Sequence, residues 1–527
     1  MGEIQKRSSV DVKIYKKDET YLYIDAERSV LRDLSDRYKF LIKNHQFHPK
    51  VKFGLWDGYI RLFKLNEQTV YLGLLRDIIN CCKQNNLTYE ILFNITTLYD
   101  EDKINEVLNN YVEPEYTFDN GREYQKEAFI HGVKNIRSIM TSATASGKSM
   151  ILFLLSVYYY MIGKNVIIIV PSSYLVEQMY NDFIEYFKGD KNEFASTIER
   201  IHSKVKSSES NKKGKIVITT WQSAKNKSEE WFDKFDVLLG DEVHEWEAKS
   251  LTDIIDNSKK IGIRHGFTGT LKDKDESNTD SMALMGMFGS IKSISKTYQL
   301  QKDGVLPDSM IHCYNLVYKD KSIKSKFFKN KKMPDGSLKR VPLSWDKECK
   351  ELFNIDIRTK FIINIILSEK GNSLVMFNFK EEQGKYLYNE LKKLSFNKEI
   401  FYIDGDVSVE ERKKIIKYVE DNEDCILITS YGTFKRGVNV KNIMNLFFPV
   451  GFKSSTTTLQ SIGRGLRSHK NKKSINVFDF GDNVTGSNYT YQHFKKRIEL
   501  YKRERHSIKI NSYELINGKF IKKLNGQ

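Results

Sequence analysis

Between residues 121 and about 293, short apolar runs at 139–141, 165–170, 215–220, 237–240 and 261–268 alternate with stretches of helical periodicity. Runs this short, apolar throughout and bounded by helices suit central strands of a parallel sheet covered on both faces. A second block follows from about 372, with runs at 373–379, 400–403, 425–429, 445–450 and 474–480. The pattern predicts an α/β chain with two tandem parallel-sheet lobes of nucleotide-binding type. At 527 residues the chain exceeds one ordinary core, which agrees.

The lobes are expected at 121–300 and 351–490. Ahead of them, 1–112 reads as a small α+β domain: strand material at 12–24, an amphipathic helix at 29–42, a hairpin at 51–63, a helix at 74–84 and a strand at 89–93. Asp57-Gly58 would supply the hairpin's tight turn. The acidic, polar stretch 100–120, with Pro114, reads as a linker. A linker with a basic insertion is expected at 301–350. Within it, 319–340 holds nine basic and two acidic residues around Pro334-Asp335-Gly336 and reads as exposed and mobile. Residues 491–527 read as a short basic C-terminal tail, helical in its first half.

Charge narrows the function. The 85 Lys and Arg outnumber 68 Asp and Glu, giving +17 and a pI near 9.2. Such a balance suits a polyanion, nucleic acid before membrane; a lysine-rich surface kept for solubility is the alternative. The longest apolar run, 151–162, is too short to span a bilayer, and the polar opening 1–17 carries no signal peptide, so a cytoplasmic protein with no membrane partner is expected. The five cysteines form no CxxC pair, which suggests neither a zinc site nor a disulfide framework.

Gly147-Lys148-Ser149 falls between the apolar run 139–141 and an apolar helix beginning at Met150, the setting a phosphate loop needs. There the backbone amides of Ala145, Ser146 and Gly147 would surround phosphates. Lys148 would reach the β and γ oxygens, and Ser149 would ligate Mg²⁺. Ser142 stands where that pattern has its first glycine. Asp241-Glu242 follows the run 237–240, at the strand end that faces nucleotide in a doubly wound sheet. Asp241 would hold Mg²⁺ and Glu242 would polarise the attacking water. An isolated Asp-Glu pair more often opens a surface helix; about a hundred residues after Gly-Lys-Ser it does not.

With these motifs the chain resembles superfamily 2 helicases of the DExH type, in which both lobes are RecA-like. The resemblance implies that Arg122 and Gln125 read the adenine of ATP. It implies nucleic-acid contacts at Ser172, Thr220, Gly269 and Ser430. Gly437 and Asn439 would touch the nucleotide, Asn439 replacing a commoner Asp. Arg464 and Arg467, in Gln460-Ser461-Ile462-Gly463-Arg464-Gly465-Leu466-Arg467, would be arginine fingers on one helical face. His244 would relay between ATP and strand, with a structural histidine as the alternative.

Phe47-His48-Pro49 and 53–62 further resemble the N-terminal domain of phage recombination and repair helicases. That resemblance implies ATP-dependent unwinding of branched DNA and RNA–DNA hybrids and reversal of stalled forks; single-stranded DNA as a further partner and a monomeric state are separate expectations, and an accessory protein at the tail is left open. Rival readings are a double-strand translocase without unwinding, an ATP-switched annealing protein and an RNA helicase. From the residues themselves, Trp56 at the expected hairpin tip, with Arg61 and nearby lysines, makes a nucleic-acid surface; packing in a small core is the equal alternative.

Overall fold

The run Val166–Val170 is five β-branched residues without a polar interruption, all fully buried. Each contributes about 1.5–3 kcal/mol relative to exposure, so the segment is stable only as a strand covered on both faces. In the computed structural model of this protein it is the third strand of a seven-stranded parallel sheet. The order is Ile198–Ile201, Ile216–Thr220, Val166–Val170, Val237–Gly240, Ile263–Thr268, Arg137–Ser142 and Ile291–Ser295. The structure describes residues 10–42, 45–94, 98–116, 118–119, 121–203, 215–246, 248–269, 278–395, 397–437, 440–469 and 472–523. They fall into two compact units, Met1–Ala143 with Gly147–Ser295, and Thr144–Ser146 with Lys296–Gln527.

The second unit has its own sheet, ordered Ile400–Ile403, Ile426–Ser430, Ser373–Phe377, Asn445–Phe448, Ser474–Asn483, Asp308–Tyr318, Ser507–Ile516 and Lys519–Lys522. All its neighbours run parallel except the last pair. The two-lobe α/β expectation is met, but its edges move. Asp308–Tyr318, in the expected linker, is an eleven-residue strand between Ser474–Asn483 and Ser507–Ile516. No unbroken apolar run marks it, because Ile311 and Cys313 enter one core while Leu316 and Tyr318 enter another from the opposite face, with polar and exposed residues between. The expected tail forms the helix Tyr489–Arg503 and the two strands that close this sheet edge. The basic insertion is ordered as well: a turn of helix at Lys321–Lys326 precedes the antiparallel ribbon Phe328–Lys332 and Leu338–Pro342.

In the N-terminal domain the sheet order is Phe63–Lys64, Thr69–Tyr71, Tyr21–Ala26, Val12–Lys16 and Tyr89–Ile91. The expected hairpin at 51–63 does not form. Pro49 instead opens a helical turn, Pro49–Lys52, capped by His48. Tyr59–Arg61 then pairs with Lys39–Leu41 and not with 51–53. The expected linker contains the helix Glu101–Asn110, which buries Ile104 and Val107 and is capped by Asp100.

Two arginines dock this domain on the seven-stranded sheet. Arg264, fully buried, donates to Thr20 Oγ1 (2.9 Å), Ser258 O (2.6 Å) and Ile261 O (3.0 Å). Arg137 donates to Glu19 O, Met287 O and Ile261 O. Tyr21 Oη adds a 2.7 Å bond to Asp256. Gly73 and Gly286 allow the backbones to touch, since a Cβ on Gly73 would collide with Met285 O and one on Gly286 with Tyr71.

Candidate active site

The helix Lys148–Met161 starts from Gly147, whose φ is +77°, and a Cβ there would strike the Gln125 amide. Only glycine satisfies both conditions. Gln125 thus lies against the phosphate loop, while Arg122 is the residue just ahead of its helix, Glu123–Lys134. Ala145 is also left-handed, at φ +67°, and Ser146 is buried. A strained non-glycine residue in such a loop marks a shape held for a purpose. Ser142 is the last residue of strand Arg137–Ser142, ahead of the loop, and its hydroxyl meets Ser295 Oγ at 2.9 Å. The missing glycine therefore leaves the left-handed positions untouched.

Asp241 and Glu242 follow strand Val237–Gly240 as the topology requires. Asp241 N continues the sheet to Ile169 O (2.8 Å), and its carbonyl accepts from Trp246 Nε1 (3.1 Å). Glu242 is left-handed at φ +46°. Its carboxylate takes Lys148 Nζ at 3.0 Å on Oε1 and the Gly269 amide at 3.1 Å on Oε2. His244 Nδ1 lies 3.4 Å from Oε2 and 2.6 Å from Thr268 Oγ1. A continuous polar chain thus runs from the phosphate-loop lysine to the strand end at Thr268 and Gly269.

The two acids are pushed apart electrostatically. Burial, and then the Glu242 charge, lift the Asp241 carboxyl well above the usual carboxylate range, with Lys148 opposing. Burial also works against ionised Glu242, but Lys148 and then His244 outweigh it and hold that carboxyl below its ordinary range. Glu242 is therefore the ionised member, and divergent neighbours of this kind mark acid–base sites. Asp241 Oδ1 is buried without a hydrogen-bond partner. That orphaned oxygen, with the Ser149 hydroxyl at the helix start, fits a Mg²⁺ that draws its remaining ligands from phosphate and water. Among the described residues no cluster of three or more His, Cys, Asp or Glu could hold a metal unaided.

Sequence reasoning missed Tyr186. Its hydroxyl lies 2.9 Å from Ser149 Oγ, and its ring is packed by Tyr116 and Phe153. No local pattern marks a residue at the far end of the helix Ser173–Tyr186.

The expected strand contacts occupy equivalent places. Ser172 stands just beyond the strand Val166–Val170 and Thr220 ends the adjacent parallel strand Ile216–Thr220, and each hydroxyl caps the following helix, accepting from Leu175 N (3.4 Å) and Ser223 N (3.2 Å). Ser430 repeats this in the second unit, accepting from Thr433 N (3.2 Å). Arg464 lies on Ser455–Gly465 and donates to Phe434 O (2.5 Å) on Tyr431–Gly437, the helix that ends at Gly437. Arg467 is not on that helix: Leu466 caps it, and the Gly465 carbonyl is taken by Lys472 Nζ (2.7 Å). The shared helical face expected for the two arginines is thereby corrected. Asn439 lies outside the described residues.

In the N-terminal domain Trp56 is half-buried; its Nε1 donates to Tyr59 O (3.0 Å) and its ring meets His48 edge-on. Arg61 is bound to Asp57 through two nitrogens. The surface instead exposes Phe47 (67%), Phe53 (78%) and Leu55 (77%) beside Lys50 and Lys52.

A phosphate loop that leads into the helix Lys148–Met161, a paired-acid strand end at Asp241-Glu242, and a second parallel lobe carrying the Gln460–Arg467 signature define a superfamily 2 helicase, an ATP-hydrolysing enzyme. Family models agree: residues 118–273 match the type III restriction enzyme res subunit and 358–469 the helicase conserved C-terminal domain. Residues 11–94 match the N-terminal domain of the DNA helicase UvsW. The chain is 28% identical over 520 residues to the ATP-dependent DNA helicase uvsW of Enterobacteria phage T4, covering 94% of this chain and 98% of that one. The crystal structure of T4 UvsW matches with a TM-score of 0.48 at 26% identity, over 96% of this chain and 100% of that one. An HsdR fragment of a type I restriction enzyme from Vibrio vulnificus shares the fold, with a TM-score of 0.54 at 15% identity over 88% of this chain and 77% of that one.

Proposed function

We propose that this helicase acts on branched DNA, namely forks, junctions and R-loops, in phage-type recombination, repair and replication restart. The observation that carries the proposal is the exposed Phe47, Phe53 and Leu55 set among lysines, on a domain docked to the ATP-binding unit through Arg137 and Arg264. Apolar side chains there stack on or wedge between bases, while Lys50 and Lys52 neutralise phosphates. The match to the UvsW N-terminal model supports the substrate class.

In this reading Lys148 and the amides from Ala145 to Gly147 bind the ATP phosphates, and Gln125 and Arg122 read the base. Glu242, ionised and aimed by Lys148 and Gly269, accepts the proton of the attacking water. Ser149 and Asp241 would hold Mg²⁺, which neutralises phosphate charge and fixes the leaving group. Arg464 and Arg467 are assigned the γ-phosphate charge, Gly437 and Asn439 further nucleotide contacts. His244 passes the state of Glu242 to Thr268 and Gly269, and Ser172, Thr220, Gly269 and Ser430 hold the strand. The working form is a monomer in the host cytoplasm; among the described residues no helix is long and apolar enough to cross a membrane.

ATPase stimulation by single-stranded, duplex, forked, four-way and RNA–DNA hybrid substrates, each over a salt series, tests the assignment. Branched DNA should stimulate most, with a steep salt dependence; equal stimulation by all forms refutes it. A second reading, a double-strand translocase without net unwinding, is favoured by the match to the restriction-enzyme res subunit. It requires translocation along a forked substrate with a blocked or mismatched arm, and no strand separation on any arm.

A further inference from the structure

The second unit contains a cavity of about 520 Å³ that no motif accounts for. Its walls are Trp345, at the start of Trp345–Phe353; Phe452 and Lys453, beyond Asn445–Phe448; and Tyr489 and His493, one turn apart on Tyr489–Arg503. The volume is within the roughly 300–1,000 Å³ of small-molecule sites. Buried carboxylate and guanidinium groups hold the walls in place. Glu348 accepts from Tyr489 N (3.0 Å) and Thr490 N (2.9 Å), which fixes the start of the Tyr489–Arg503 helix. Arg497 is clamped on Asp479 (2.7 and 2.8 Å) and donates to Phe452 O (2.8 Å), which fixes the opposite side.

Trp345, Phe452, Tyr489 and the His493 ring make these walls aromatic and flat. Burial, and then Arg497 and Lys453, push the His493 pKa down to about 4, so the imidazole adds no charge near pH 7. Lys453 is the one charged side chain among the lining residues. The cavity therefore asks for a flat apolar body that carries a negative charge. An acyl chain lacks the flat face, and an aromatic side chain lacks the anion. A nucleotide has both.

We propose that this cavity receives one unpaired nucleotide of the bound DNA strand, its base between Trp345, Phe452, Tyr489 and His493 and its phosphate on Lys453. The proposal rests on the reading that the protein acts on DNA. A pocket for one splayed base would mark the strand at a fixed register, a grip that backbone contacts do not provide.

Photocross-linking of the full-length protein to oligodeoxynucleotides carrying 5-iododeoxyuridine tests this directly, with peptides identified by mass spectrometry. Cross-links are expected on Trp345, Tyr489 or His493. Tyr489→Ala, at a half-exposed position, should weaken oligonucleotide binding by about tenfold while the KM for ATP holds. Lys453→Ala should lower the salt slope of binding by about one. If the wild type binds DNA but cross-links only elsewhere, the pocket assignment is overturned, whatever the variants do. Cross-linking by free iodinated deoxyuridine monophosphate without cross-linking by the oligonucleotide overturns the strand assignment, leaving a mononucleotide site. Absence of any DNA binding refutes the underlying reading, and this proposal with it. The wild-type cross-link decides the matter even if a variant misfolds.

Discussion

Replacing Glu242 by Gln tests the active-site geometry most sharply. Both carboxylate oxygens face donors, Lys148 Nζ on Oε1 and the Gly269 amide on Oε2. A glutamine presents oxygen to only one of them and turns its NH₂ on the other. One charge-assisted bond is lost, a cost of about 1.5–3 kcal/mol to the first unit. The kinetic effect should be larger, because a positioned general base supplies roughly 10²–10⁴ in rate. That is about 2.7–5.5 kcal/mol of barrier, at about 1.36 kcal/mol per decade. Lys148, released from its ion pair, should bind phosphate at least as well as before. Glu242→Gln should therefore hold ATP with undiminished affinity and hydrolyse it at least about a hundredfold more slowly. The assay pairs equilibrium binding of a fluorescent ATP analogue with DNA-stimulated phosphate release, well below the melting temperature. A folded variant with kcat within about threefold of wild type would refute the assignment of Glu242. Loss of ATP binding would refute the account of Lys148.

Three further outcomes are expected. Arg464→Ala and Arg467→Ala should each lower kcat by about a thousandfold with little change in ATP affinity, read by the same assays. Phe53→Ala with Leu55→Ala should leave the melting temperature and single-strand ATPase unchanged, since both side chains are about three-quarters exposed, yet reduce fork unwinding measured by strand-release fluorescence. Burial, and then Arg467, push the Lys472 amine down to about 7, below its unfolded value near 10.5. The unfolded chain then binds more protons between those limits, so this residue's contribution to stability rises with pH through that window. Urea titrations across it should show the wild type gaining on Lys472→Met, and a flat or inverted difference refutes the sign.

What the sequence revealed follows from how strictly each element is constrained. Val166–Val170 and Val237–Gly240 are legible because a strand covered on both faces must be apolar throughout. Asp241 and Glu242 inherit their place from that strand, since a parallel sheet puts its chemistry at the carboxyl ends. Asp308–Tyr318 and Ser507–Ile516 mix buried with exposed positions, the second burying Asn511 and Glu514, and their polar and basic residues read as linker and tail. The Trp56 segment was misread because Asp57-Gly58 does make a turn, with Gly58 at φ +81°, but between a helical turn and a strand. Tyr186 was invisible because only the folded helix brings it to Ser149.

The docking of the N-terminal domain bears on how the chain is made. Its sheet is complete once Tyr89–Ile91 has been synthesised, but its seat needs Ile261, Arg264 and Met287. Those arrive roughly 200 residues later, about 10–40 s at ordinary rates of synthesis. For that interval the Thr20 turn has no guanidinium to receive, and the domain must persist alone on the ribosome. The first module to fold is thus the last in its unit to be fastened, and Arg264 meets Thr20, and Arg137 meets Glu19, only when that closure is complete.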